Sequence, residues 1–246
     1  MPHGRFAELA RGIAQLLYPN ACLLCESPET EAAPFRHGFC TDCHRSIISD
    51  PAEACPRCAA TVGPHTDVTD GCYACRERTF AFRGAVRLGL YASPLKDAIL
   101  RMKHAAGEPV AEMLARVFAE ERVTPIRGQG IELVVQVPLH WRRRWVRGFN
   151  QAATLAEPLA TELGAKFAPH VLRRVKPAPQ HAQPSASARM ENIRGAFVCP
   201  SPASLIGRSI LLVDDVMTTG STAGEASRTL KAAGATKVVV AVLARA

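Results

Sequence analysis

The sequence lacks the features that mark membrane-spanning and secreted proteins. None of its apolar runs reaches the ~18 residues needed to cross a bilayer, so we expect no membrane span. The segment from residue 1 to residue 18 contains no continuous apolar stretch of the kind found in signal peptides. Its apolar residues recur at helical spacing, which is more typical of a helix packed on its own protein than of a helix on a membrane surface. These residues are Phe6, Leu9, Ile13, Leu16 and Leu17. Without a signal peptide, we expect a cytoplasmic location.

Lysine is also scarce. Only six of the 30 basic residues are Lys, and none of them lies before residue 81. This excess of Arg, together with many alanines, indicates a bias in base composition, so the net charge of +8 is weak evidence for a nucleic-acid partner. The charge is unevenly spread, because residues 1–80 contain seven Arg against ten acids (−3) and residues 81–246 contain 23 basic groups against 12 acids (+11).

Cysteine is concentrated in residues 22–75, where eight of the nine cysteines form four Cys-x-x-Cys pairs. Two such pairs supply the four thiolates of a tetrahedral Zn²⁺ site. Disulfides are not expected without a secretion signal, and a redox Cys-x-x-Cys normally occurs once, beside a βαβ unit. We therefore predict two structural zinc sites, which would stabilise a region with few bulky apolar residues. The pairs are Cys22/Cys25, Cys40/Cys43, Cys55/Cys58 and Cys72/Cys75.

The pairing of these ligands has two solutions, a sequential one and a cross-brace. We prefer the sequential pairing, because each half then closes a local ribbon. His37 and His44 are surplus to two Cys₄ sites, and Cys199 is interpreted as a small apolar residue. Each Cys₄ site carries a charge of about −2, so the zinc region is not expected to be the main contact for any DNA.

Beyond residue 80, apolar strands alternate with amphipathic helices. This order predicts a parallel α/β sheet, whose ligands bind at the carboxyl ends of the strands. We therefore divide the chain into residues 1–80 and residues 81–246. Residues 173–195 are rich in Pro, Gln and Ser, and we favour a lid over a disordered linker there. Strands are predicted at 82–91, 132–137, 209–213 and 237–243, and helices at 95–104, from 109 and at 222–233. Asn150 is predicted to cap a further helix, which ends at Gly164.

The most informative run is 211–222, in which an apolar strand leads into two carboxylates, a hydroxyl-rich loop and a helix. The loop would offer backbone N–H groups and hydroxyls to a phosphate at the helix N-terminus, and Gly220 permits a positive φ. Asp214 and Asp215 repel phosphate but can accept hydrogen bonds from ribose hydroxyls. The Gly-Lys-Ser/Thr signature of a P-loop is absent, so we predict a ribose-phosphate site of another kind. The loop residues are Thr218, Thr219, Gly220, Ser221 and Thr222.

This run resembles the PRPP-binding signature of type I phosphoribosyltransferases. Together with the four cysteine pairs, Val137–His140 and Arg147–Gln151, it makes the chain resemble the ComF family. That resemblance implies an α/β fold, with a parallel-sheet type I phosphoribosyltransferase-like domain preceded by a small double zinc ribbon. It also implies a link to DNA uptake in natural competence.

The resemblance further implies roles for individual residues. Asp214, Asp215 and residues 218–222 would bind the ribose and 5′-phosphate of PRPP, with the two aspartates as the catalytic positions and Mg²⁺ accompanying PRPP. The turn Pro138, Leu139 and His140 would be the pyrophosphate loop. Pyrophosphate and the hood over the site would further involve Lys103, Arg147, Gln180 and Arg189.

A basic and aromatic cluster follows the pyrophosphate loop and has three interpretations. It could neutralise pyrophosphate, bind single-stranded DNA, or form a solvated helix face with buried rings. The candidates for nucleic acid are Arg142, Arg143, Arg144 and Trp145. Two functions therefore compete: a phosphoribosyltransferase acting on a nitrogenous base or amine, and a non-catalytic single-stranded DNA-binding competence factor regulated by PRPP or a nucleotide. Competence-machinery proteins are further candidate partners.

Overall fold

A five-stranded parallel sheet forms the centre of the larger domain. The computed structural model describes residues 21–30, 34–50, 53–140, 145, 148–176 and 193–246. The strand order is β3-β9-β8-β4-β5, and all four pairings are parallel, as predicted. The strands are β3 (Gly84–Leu90), β4 (Leu133–Gln136), β5 (Lys166–Phe167), β8 (Ser209–Met217) and β9 (Lys237–Arg245).

Helices cover both faces of this sheet. Alternate side chains of a strand point to opposite faces, so Leu211 packs into one apolar cluster and Leu212 into another. The first cluster lies against α2 (Leu95–Arg101), α3 (Glu108–Arg127) and α4 (Gln151–Leu163). The second lies against α5 (Ser221–Ala232). This burial on both faces accounts for the nearly continuous apolar sequences of β8 and β9.

The cysteine-rich region is built around two separate clusters. The first half contains α1 (Thr41–Ile48), which begins directly after Cys40. The second half contains a short antiparallel hairpin of β1 (Glu53–Ala54) and β2 (Thr61–Val62) and a small core that includes its four cysteines. The metal-ligand residues thus take the place of a large apolar core in this part of the chain.

The two domains are in direct contact. Arg87 of β3 pairs with Asp50, which precedes the second cysteine cluster, at 2.7 Å. On the other side of the region, Arg36 and His37 both contact the carboxylate of Glu120 in α3. The zinc-binding region therefore packs against both the sheet edge and a helix.

Residues 173–195 were predicted to lack regular structure. The structure instead pairs β6 (Arg173–Arg174) with β7 (Phe197–Val198), and residues 177–192 lie outside the described part of the chain. The predicted N-terminal helix also lies outside it. Among the described helices, none combines the length and hydropathy needed to cross a membrane.

Candidate functional site

The two predicted carboxylates lie at the carboxyl end of β8, and both are half-buried. The strand continues through them to Met217, so the predicted strand end at Val213 is wrong. Two short hydrogen bonds shape this stretch: Asp215 N–H donates to Asp214 Oδ1 at 2.9 Å, and Val216 N–H donates to Asp215 Oδ1 at 2.7 Å. Burial, followed by the adjacent charge of Asp215, raises the pKa of Asp214 well above its ordinary value.

The loop after β8 makes a tight turn into α5 and places two hydroxyl groups side by side. Gly220 has φ +79° and immediately precedes α5, whose first-turn N–H groups have no acceptor within the helix. Thr219 Oγ1 and Ser221 Oγ lie 2.8 Å apart, which holds two hydroxyls at the same turn. Thr218 is exposed and Thr222 is half-buried. The loop thus brings hydroxyl groups to the N-terminus of α5 and has no basic side chain of its own; the Ser221 N–H donates to Thr219 Oγ1 at 3.4 Å.

Lys103 joins this site from a distant part of the sequence. Its Nζ lies 3.1 Å from Asp215 Oδ2, and the two side chains are 27% and 22% exposed. Lys103 follows α2, so the helix after the first strand of the sheet brings a cation to the end of β8. The structure therefore places together two residues that the family resemblance assigned to one ligand.

The predicted pyrophosphate loop lies beside the carboxylates. Pro138 and His140 are buried and Leu139 is half-buried, directly after β4. The register that pairs Gln136 with Val213, and the Val137 N–H bond to the Val213 carbonyl at 2.8 Å, bring this turn next to Asp214.

Asn150 fixes the far end of the same segment. Its Oδ1 accepts a hydrogen bond from Ala152 N–H at 3.2 Å, so it is the N-cap of α4, as predicted. Its Nδ2 donates to the Val137 carbonyl at 3.3 Å. One side chain therefore ties the start of α4 to the end of β4.

Several predicted residues cannot be placed. Arg142, Arg143, Arg144 and Arg147 lie outside the described residues, and so do Gln180 and Arg189 of the expected hood. Trp145 is described and is 90% exposed, so its ring is not buried under a helix face. For Trp145, the interpretation with buried aromatic rings is wrong.

The eight paired cysteines form two sets of four. Within each set, all the Sγ atoms lie within 4.8 Å of one another, and none of the cysteines forms a disulfide. Measured Sγ–Sγ distances are 3.7 Å for Cys25–Cys40 in the first set, and 3.8 Å for Cys55–Cys75 and 3.6 Å for Cys58–Cys72 in the second. A tetrahedral zinc with Zn–S bonds of ~2.3 Å separates its sulfurs by about 3.8 Å, so both sets fit zinc.

These sets are Cys22, Cys25, Cys40, Cys43 and Cys55, Cys58, Cys72, Cys75, so the sequential pairing is confirmed and the cross-brace is wrong. The two nearby histidines belong to neither set. His37 lies 2.7 Å from Glu120 through its Nε2, and His44 is buried in α1.

Three residues of this site were not predicted. Arg78 Nη1 donates to the Thr219 carbonyl at 3.2 Å, and Arg245 Nη1 donates to the Met217 carbonyl at 3.3 Å. Phe80 lies against Gly220, where an added Cβ would be 3.0 Å from its ring. The spacing of Arg78, three residues after Cys75, is the only sequence signal that could have drawn attention to it.

A large groove of about 1120 Å³ lies elsewhere, between α3 and α4. None of residues 214–222 lines it. Its walls carry five carboxylates besides Arg36 and Arg116, and because no residue of the run 214–222 reaches it, the groove is not the candidate ribose-phosphate site. These carboxylates belong to Glu108, Glu112, Glu120, Glu157 and Glu162.

Comparison with known proteins matches both domains. A model of the phosphoribosyl transferase domain matches residues 150–246, and a model of the double zinc ribbon domain matches residues 13–76. DNA utilization protein YhgH of Salmonella typhi is 33% identical over 233 residues, which cover 94% of this chain and 99% of that protein.

Two further curated relatives match over most of their length. Competence protein F of Haemophilus influenzae is 31% identical over 215 residues, covering 86% of this chain and 92% of that protein. Competence protein ComFC of Bacillus subtilis is 26% identical over 237 residues, covering 91% of this chain and 92% of that protein.

Proposed function

This chain belongs to the ComF family, and we propose that its sheet domain binds PRPP, or a closely related ribose phosphate, at the carboxyl end of β8. One observation carries the proposal: the 3.1 Å contact between Lys103 Nζ and Asp215 Oδ2, beside the loop around Gly220. It assembles a cation, two carboxylates and an amide-rich loop at the edge of the sheet where ligands of parallel α/β domains bind.

Each part of the site suits one part of the ligand. The N–H groups and hydroxyls at the start of α5 suit the 5′-phosphate. Asp214 and Asp215 suit the ribose hydroxyls, which donate hydrogen bonds to carboxylates. Lys103, whose Nζ lies 3.1 Å from Asp215 Oδ2, and the turn at 138–140 would take the pyrophosphate.

The residues present also fit Mg²⁺ accompanying the ligand. The two Cys₄ sets are the only groups of three or more possible metal ligands in the described residues, so no protein cage for Mg²⁺ is found there. Mg²⁺ is commonly held by one or two carboxylates together with substrate phosphates, and Asp214 and Asp215 provide such carboxylates. When bound, Mg²⁺ would offset negative charge on the departing pyrophosphate.

In a transferase reaction, the carboxylates would hold the ribose while its bond to pyrophosphate breaks and a nitrogenous base or amine attacks C1. Lys103 would stabilise the charge that develops on the leaving group. Residues 173–195 would exclude water, which otherwise hydrolyses PRPP.

Calorimetric titration with PRPP and Mg²⁺ tests the binding site. Each of Asp214→Asn and Asp215→Asn removes charged hydrogen-bond acceptors worth about 1.5–3 kcal/mol, so we expect roughly ten- to hundredfold weaker binding. Asp42→Asn is the matched control, because Asp42 lies in α1 with a side chain that is 90% exposed. This variant should bind PRPP with the affinity of the wild type.

Two outcomes would overturn this proposal. No binding by the wild type would reject the ligand, and full binding by both site variants would reject the role of the carboxylates. Release of pyrophosphate with a panel of bases then separates an enzyme from a protein that binds PRPP as a regulatory ligand.

We also propose a role in the handling of single-stranded DNA; two relatives are named for DNA utilization and for competence. The exposed ring of Trp145 favours it, because an exposed aromatic side chain can stack on bases at about 1–3 kcal/mol per base. Trp145→Ala should weaken binding of a single-stranded oligonucleotide about tenfold. Tyr73→Ala, at a 75% exposed ring between Cys72 and Cys75, should not. Equal effects of the two variants, or affinity that does not fall with salt, would count against this role.

A further inference from the structure

The second cysteine set is connected to the phosphate loop by Arg78. The backbone N–H of Arg78 donates to the carbonyl of the zinc-ligand residue Cys75 at 3.0 Å. Its guanidinium donates to the Thr219 carbonyl at 3.2 Å. One residue therefore bonds to a metal-ligand residue on one side and to the phosphate loop on the other.

Arg57 fixes Arg78 from a second direction. Arg57 lies inside the Cys55–Cys58 turn, so its backbone position depends on that turn. Its Nη2 donates to the Arg78 carbonyl at 2.6 Å, and its Nη1 donates to the Asp70 carbonyl at 3.1 Å. Both cysteine pairs of the second set thus hold the backbone of Arg78.

Phe80 forms a parallel apolar contact. Its ring packs against the core of the second cysteine set and against the sheet core that includes α5. It stacks on Phe82 with ring centroids 4.5 Å apart, and a Cβ on Gly220 would lie 3.0 Å from it. The loop is therefore contacted by a hydrogen bond and by a packed ring, both from the segment that follows Cys75.

The first cysteine set contacts a different part of the molecule. Its neighbours Leu23 and Phe35 pack against the cluster that contains α2 and α3, and Arg101 Nη1 donates to the Leu23 carbonyl at 2.9 Å. Arg36 contacts Glu120 of α3. None of these contacts involves residues 218–222.

We propose that the second zinc site, acting through Arg78 as a positioning residue, holds the phosphate loop in its observed conformation, whereas the first zinc site does not. One consequence of this proposal rests on the proposed function: loss of metal at the second site should weaken the binding of a sugar phosphate. The loop amides must point at one position to bind a phosphate, and fixing the Thr219 carbonyl restrains the peptide that carries the Gly220 N–H.

Amide hydrogen exchange of the full chain measures loop order without any ligand. In Arg78→Ala, we expect exchange in a peptide covering residues 217–224 to rise about three- to tenfold, which corresponds to one lost, exposed hydrogen bond from a charged donor. Exchange in β9 should not change. Arg76→Ala is the matched control, because Arg76 is exposed on the same segment and no bond from it to the loop is observed. Arg78→Lys should restore part of the protection, because an ammonium can also donate to the Thr219 carbonyl.

The zinc arm of the experiment compares one ligand from each set. Cys72→Ser should raise exchange in the loop at least as much as Arg78→Ala, and adding Arg78→Ala to it should have little further effect. Cys25→Ser, in the first set, should leave loop exchange at the wild-type rate. Measured zinc content confirms that each variant has lost metal.

Unchanged loop exchange in Arg78→Ala, or equal effects of Cys25→Ser and Cys72→Ser, would overturn the proposal. Affinity for ribose 5-phosphate should fall by the same three- to tenfold in Arg78→Ala. If the wild-type chain binds neither PRPP nor ribose 5-phosphate, the proposed function fails, while the exchange results still decide the role of Arg78.

Discussion

Substituting Arg87 by Met should strongly destabilise the protein, because this residue forms the buried contact between the two domains. Its side chain is 1% exposed. Nε and Nη2 donate to the two oxygens of Asp50 at 2.7 and 3.0 Å, and Nη1 donates to the Ala59 carbonyl and to Thr61 Oγ1, both at 2.9 Å. The guanidinium therefore joins β3 to the segment that precedes the second cysteine set, at Asp50, and to the turn that follows Cys58, at Ala59 and Thr61.

The size of the expected destabilisation follows from Asp50, the partner that would remain in the variant. Asp50 is 8% exposed, so Arg87→Met leaves a buried carboxylate without its cation. Breaking such a pair costs about 3–5 kcal/mol in the free energy of unfolding. In a chain of this size each kcal/mol shifts Tm by about 2–4 °C, so we expect Tm to fall by about 6–20 °C.

Thermal unfolding in zinc-saturated buffer measures this fall, with two comparison variants. Arg45→Met removes an exposed ion pair with Asp42 at 3.5 Å and should cost less than about 1 kcal/mol. Asp50→Leu combined with Arg87→Met should recover much of the loss, because no unpaired charge then stays buried. If Arg87→Met lowers Tm no more than Arg45→Met, the buried pair does not hold the domains together as described.

Three further predictions concern the metal sites, the loop and the carboxylate pair. Elemental analysis should find two zinc ions per chain, and about one in Cys25→Ser, because each Cys₄ set holds its own ion. Gly220→Ala should cost at least about 1–2 kcal/mol in urea unfolding, because φ is +79° and Phe80 obstructs a Cβ, whereas Gly128→Ala, at φ −64° with nothing within 4 Å, should not destabilise. Asp214→Asn should be more stable than the wild type at pH 8, and this advantage should shrink as the pH falls. Because the pKa of Asp214 is raised in the folded state, its charged form opposes folding at high pH, and this penalty shrinks as the pH falls from the folded pKa towards the ordinary value in the unfolded chain. An equal stability difference at pH 8 and pH 5 would contradict this prediction.

The parts of the fold that depend on local sequence could be predicted. Cys-x-x-Cys pairs close within one turn, so the position of each pair followed from spacing. The sequential pairing was only preferred over a cross-brace, because each half then closes a local ribbon. Asn150 as N-cap and Gly164 as the end of α4, where φ is +62°, followed from residue type. Strands β8 and β9 could be predicted because a strand that is buried on both faces of its sheet has a nearly continuous apolar sequence.

The end of β8 could not be predicted from its apolar run. The strand extends through Asp214 and Asp215 because β9 continues beside it, pairing Asp214 with Val242 and Met217 with Arg245. Backbone pairing with a neighbour, and not side-chain hydropathy, therefore determines where the strand stops. Strand β5, at two residues, is too short for any periodicity to indicate it.

Contacts between segments that are distant in the chain could not be predicted from the sequence either. Arg87 and Asp50 are 37 residues apart, and Arg78 and Thr219 are 141 residues apart. The sequence does not show whether an Arg near a cysteine pair contacts another domain or is surrounded by solvent. Lys103 was named only because the family resemblance indicated it, and its 3.1 Å contact with Asp215 required the fold.

The acidic pair at the end of β8 is best understood as the selective element of the proposed site. Two adjacent carboxylates, with Lys103 on only one of them, repel a bare phosphate that approaches the loop. A sugar phosphate overcomes that repulsion, because its hydroxyls donate to the same carboxylates that would otherwise oppose the anion. Specificity of this kind depends on an unfavourable contact with the wrong ligand as much as on a favourable contact with the right one. Burial, followed by the adjacent charge of Asp215, raises the pKa of Asp214, so the charged form of this carboxyl is unfavourable until a hydrogen-bond donor such as a ribose hydroxyl reaches it.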